Sequence, residues 1–136
     1  MTERQLTPRG ICVLACAAAM TLAACSTPAR TATNFCRQLQ QELPEIAQPT
    51  ATPAEVSDLV KRYERLGDLA PLAIEDDWTA LTNLVKAAAE VDAADPASVQ
   101  AVADLSYATQ KSATATATWV RETCGVDIST GLGTTP

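Results

Sequence analysis

The chain has 136 residues, 47% apolar and 19% charged, with 10 basic side chains against 16 acidic ones and no histidine. That length carries one domain, and a net charge of −6 excludes the basic stripe that nucleic acid requires. The missing histidine excludes a His-based triad, imidazole acid–base chemistry and a His-ligated metal, and so apolar a composition excludes a disordered chain.

At the amino terminus, Arg4 and Arg9 precede an apolar run from Ile11 to Ala24, with only Glu3 against them. This is the positive flank of a signal peptide. The 14 residues of that run would form a helix of about 21 Å, short of the roughly 30 Å of bilayer hydrocarbon. It reads as a secretory h-region, and residues 1–24 as a signal peptide. The run closes in Leu22-Ala23-Ala24-Cys25, which resembles the lipobox of bacterial lipoproteins. The resemblance implies a diacylglycerol on the Cys25 thiol, cleavage that leaves Cys25 first, and anchorage to the outer face of the cell membrane. Cys12 and Cys16 leave with the signal peptide and Cys25 carries lipid, so Cys36 and Cys124 remain as one pair in an oxidising compartment.

Residues 25–34 are small and polar and read as a short tether. A short first helix follows, with Asn34 as N-cap, Phe35, Leu39 and Leu43 on one face and Pro44 as its stop. Thr52-Pro53-Ala54-Glu55 is a capping box with proline at the first helical position. It opens a second helix carrying Val56, Leu59, Val60, Tyr63 and Leu66, with Gly67 as its left-handed end. The third helix starts after Pro71 and places Ile74, Trp78, Leu81, Val85 and Ala88 on one face. Glu75, Asp76 and Asp77 sit in its opening turns, where the helix dipole favours negative charge.

Asp95-Pro96 restarts the chain as N-cap and first residue of a long fourth helix. It carries Val99, Val102, Leu105, Ser106, Ala113, Ala117, Val120 and Cys124 and ends at Gly125. Ala113 to Thr118 alternates Ala and Thr, a period-two pattern, but both flanks keep a helical period and a lone strand has unsatisfied edges. The expectation is an all-α fold: a small four-helix bundle, one helix short and three longer, over 35–128, with a frayed tail over 129–136. Few large apolar residues fill it, so a Cys36–Cys124 staple matters to its stability.

The mature chain is similar to small actinobacterial secreted and lipid-anchored helical proteins in three stretches. These are Asn34-Phe35-Cys36, Leu69-Ala70-Pro71-Leu72-Ala73-Ile74-Glu75-Asp76-Asp77-Trp78, and Trp119-Val120-Arg121-Glu122-Thr123-Cys124-Gly125-Val126. The resemblance implies the fold and the compartment and transfers no catalytic residue.

Chemistry-bearing groups are sparse. Glu75-Asp76-Asp77 lacks the spaced oxygens and glycine turn of a calcium loop and reads as a helix start; Asp92 and Asp95 read as a helix end and a cap. Ser57, Ser98, Ser106 and Ser129 sit in no nucleophile elbow. A Ser–Lys pairing with Lys61, Lys86 or Lys111 is the only activation formally left. Lys61, Arg62 and Arg65 form a small basic patch that reads as a solvated face. Trp78, Trp119, Tyr107 and Tyr63 are the aromatics that would line an apolar ligand cavity, if they do not simply fill the core. No catalytic residue, cofactor or metal is expected. Two functions follow from this: a non-enzymatic module of the envelope that docks a protein partner, or a binder of a small apolar or lipid ligand near the membrane surface.

Overall fold

Thr31, not Asn34, opens the first helix. In the computed structural model, which describes residues 27–130 and 132, four helices form: α1 (Ala32–Ile46), α2 (Pro53–Leu69), α3 (Glu75–Ala89) and α4 (Pro96–Cys124). No strand occurs among the described residues. The expected signal peptide, residues 25 and 26 of the expected tether, and residues 131 and 133–136 of the expected tail lie outside them.

The Asn34 N–H donates to Thr31 Oγ1 (3.2 Å), while the Asn34 amide donates to the Ala29 carbonyl (2.8 Å) and accepts from Arg37 (2.7 Å). Asn34 is therefore busier inside the first turn than it would be as a cap. Arg30, within the segment expected as tether, is fixed to the bundle as well. Its Nε donates to the Ala70 carbonyl at 2.9 Å and its guanidinium pairs with Glu75 at 2.8 Å. Pro44 does not stop α1. It falls in the last turn on an exposed flank, where a missing N–H costs one backbone bond, and the helix closes with Ala47 N–H donating to the Leu43 carbonyl. At 15 residues, α1 is as long as α3.

The capping box of α2 forms as the sequence requires: Thr52 Oγ1 accepts from the Glu55 N–H, and the Glu55 carboxylate accepts from Thr52 N–H and Ala51 N–H at 2.8 Å each. Gly67, however, lies inside the helix. Trp78 crosses α2 at this point, and its indole N–H donates to the Tyr63 carbonyl at 2.9 Å. A Cβ on Gly67 would stand 3.5 Å from the indole ring, an ordinary contact distance, so a methyl fits there. Among the described glycines Gly125 has a left-handed backbone (φ 68°), and it ends α4. Asp95 caps α4, its carboxylate accepting from the Ala97 N–H. The Ala113–Thr118 stretch is helical throughout.

Helix backbones meet in ring order, α1 on α2, α2 on α3, α3 on α4, and α4 back on α1. A Cys36–Cys124 disulfide fastens the start of α1 to the end of α4, with Cα atoms 5.3 Å apart. The core is built around Phe35, whose ring meets the edge or face of Trp78 (5.1 Å, 83°) and Trp119 (5.8 Å, 76°). Ala113, Thr116 and Ala117 supply the small buried face of α4 that leaves room for these rings. The Thr116 hydroxyl is buried without a hydrogen-bond partner.

Burial fails along the first half of α4. Val99 is 46% and Tyr107 73% exposed, although the apolar stripe was expected to run the whole helix. The reason is length. The 15 residues of α1 span about 22 Å and the 29 of α4 about 43 Å, so α1 cannot cover the far half of α4, which leans on α3 alone.

Candidate functional site

The apolar stripe of α1 continues past Phe35 and Leu39 to Leu43 and Ile46. Another segment covers it. After the Gly125 turn, residues 126–130 and 132 lie along α1. Ile128 is buried, Val126 and Leu132 pack on the core, and Leu132 N–H donates to the Ile128 carbonyl (3.2 Å). Leu132 thus packs against the bundle from within the segment expected as a frayed tail. The Asp127 carboxylate accepts from the Ser129 N–H (2.9 Å) and shapes this turn.

Between these elements lies a hollow of about 210 Å³. Leu39, Leu43, Ile46 and Ala47 form one wall, Tyr63 and Trp78 the floor, and Asp127, Ile128, Thr130 and Leu132 the other wall. An apolar cavity of about 150 Å³ holds a benzene molecule, and drug-sized ligands take roughly 300 Å³ and more. The space therefore suits a ring or a short alkyl chain.

Tyr63 and Trp78 stack with ring centres 5.4 Å apart and 22° between planes. The Trp78 N–H is already engaged by the Tyr63 carbonyl, so this indole offers only apolar surface to the hollow. Tyr63 is 6% exposed, and burial pushes its phenol above the ordinary value, which keeps it protonated. Of the four aromatics expected as ligand-lining, Tyr63 and Trp78 line this space. Trp119 packs on Phe35, and Tyr107 stands exposed on α4; neither borders the hollow. The aliphatic wall of α1 was visible as a helical stripe. The wall of Asp127, Ile128, Thr130 and Leu132 was not, because that segment has no period to read.

The expected basic patch is solvated at Lys61 and Arg65 and half-buried at Arg62, and both arginines are also ion-paired. Glu42 on α1 is 5% exposed and takes Arg65 in a fork, Nε at 3.0 Å and Nη2 at 3.2 Å, together with Arg62 and the Gln38 amide (2.9 Å). Burial pushes the Glu42 carboxyl up, but the hydrogen bonds from Arg65, Arg62 and Gln38 outweigh it and hold the group below the ordinary glutamate value. A carboxylate so held is an acceptor only and joins α1 to α2. Lys61 pairs with Asp58 (3.0 Å) and Lys86 with Glu64 (2.7 Å). Ser98 accepts from the Asp92 N–H. No group of three or more metal-ligating side chains occurs among the described residues. No described helix is long and apolar enough to cross a membrane.

Neither a protein-family model nor a curated protein nor a solved structure matches the chain.

Proposed function

We propose that this chain is an exported lipoprotein, anchored through Cys25, whose helical bundle holds a small apolar ligand near the membrane surface without acting on it chemically. The observation that carries the reading is the hollow, with its aliphatic walls and its aromatic floor. The tether supports the location. Arg30 is fixed to Ala70 and Glu75, and the five residues from Cys25 to Arg30 reach at most about 18 Å. The pole of the bundle that holds the α2–α3 turn would thus stay close to the bilayer. Leu72, 84% exposed, sits in that turn.

Native mass spectrometry of the protein extracted from its own membranes tests both halves. The expected spectrum shows an acylated Cys25 and a small molecule retained at one per chain; a bare acylated chain overturns the binding half. Cys25→Ala should release the protein from membranes, and unchanged retention overturns the anchor.

The second reading, a module that docks an envelope protein, is favoured by Tyr107 and Val99, which leave apolar surface exposed on α4. Crosslinking from position 107 to a discrete partner in intact cells would support it.

A further inference from the structure

Tyr63 is the one floor residue with a polar atom to spare. No described residue bonds its hydroxyl, although the residue is 6% exposed. A tyrosine this buried ordinarily finds a partner for its O–H. The opening beside it is the hollow, whose floor it forms with Trp78. Among the lining residues only Asp127 is charged. The Ser129 side chain and N–H hold that carboxyl below its ordinary value, and Arg121 acts on it in the same sense, so it is ionised near neutral pH.

Resting on the reading of the hollow as a ligand site, we infer that it selects an uncharged amphiphile. Such a ligand has a short alkyl or aryl body and one accepting oxygen, as in an alcohol, ester or ketone, and that oxygen takes the proton of the Tyr63 hydroxyl in a hydrogen bond. A carboxylate is rejected twice over. Its charge would enter an apolar space with no cation in the lining, and it would face Asp127. A pure hydrocarbon fills the walls but leaves the phenol unpaired.

Three probes with one skeleton separate these effects: 3-phenyl-1-propanol, propylbenzene and 3-phenylpropanoate, titrated calorimetrically into the full mature, oxidised protein. The alcohol should bind. Tyr63→Phe should weaken the alcohol about five-fold, the effect of one neutral hydrogen bond, and leave propylbenzene as tight or tighter. Because no described residue bonds the hydroxyl, this variant should melt with the wild type. The carboxylate should bind on the order of tenfold more weakly than the alcohol, and Asp127→Asn, which keeps an acceptor for the Ser129 N–H, should narrow that gap. If no probe binds, the ligand-site reading falls and this inference falls with it. If propylbenzene and the alcohol bind and Tyr63→Phe changes both alike, the hollow stands and the selection is overturned. Preference for the carboxylate overturns it too.

Discussion

Glu42 offers the most informative perturbation. It is a carboxylate 5% exposed on α1, held by two arginines from α2 that keep 25% and 49% of their side-chain surface in water. Breaking a fully buried pair costs about 3–5 kcal/mol, while an exposed one is worth about 0–1. The acid here is buried and the bases are half out, so Glu42→Gln should cost about 2 kcal/mol near neutral pH. The isosteric amide keeps the volume, and the arginines can rehydrate. The sign of the pH effect follows from the direction of the shift. The folded carboxyl titrates below the ordinary value of 4.5, so its stabilisation is fully present above that value. It is lost as pH falls through the folded value. Urea unfolding of wild type and Glu42→Gln should therefore differ at pH 7 and converge as the pH falls below 4.5 and through the folded value. Coincident curves at pH 7, or a gap that persists undiminished in acid, would refute the account of Glu42 as a clamp between α1 and α2.

The disulfide closes a loop of 88 residues, worth about 4.5 kcal/mol in the chain-entropy model. The Cys36→Ser/Cys124→Ser variant should melt tens of degrees lower by circular dichroism, and a drop of a few degrees would contradict a staple on a thin core. Gly67→Ala should stabilise by up to about 1 kcal/mol, because the position is helical and has room for a methyl. Gly67→Leu should destabilise by about 1–3 kcal/mol through collision with Trp78. Gly125→Ala should cost about 1–2 kcal/mol for its left-handed backbone, and denaturant midpoints rank all three. Thr116→Val should gain about 1 kcal/mol by removing a buried hydroxyl that bonds nothing; a loss in the same assay would mean that the hydroxyl finds a partner in solution.

What the sequence made legible was local. The Thr52–Glu55 box, the Asp95-Pro96 start and the Gly125 end each rest on groups within four residues of one another, and all three form. Misreadings arose where a distant residue decided. Gly67 has the local signature of a helix end, yet Trp78 arriving from α3 gives it another use. Arg62 and Arg65 look like solvent-facing bases until Glu42, 20 and 23 residues earlier, is brought against them. The hollow was half legible. Its α1 wall follows the 3.6-residue period, and its other wall depends on where a short aperiodic segment lands. Aromatic content announced Tyr63, Trp78, Tyr107 and Trp119 equally, and only the length mismatch between α1 and α4 separates those inside from the one left in water.

The position of the disulfide also fixes how the chain responds to mechanical load. A pull between the two termini travels along the first residues to Cys36, crosses to Cys124 and leaves through the carboxy-terminal segment. The stretch between the two cysteines, which are 88 positions apart, is bypassed by a covalent bond. Stretching can peel away Arg30 at one end and Ile128 at the other, but α2 and α3 bear no tension while the bond is intact. In an optical trap the oxidised chain should lengthen only by its short end segments, and the full contour should appear after reduction.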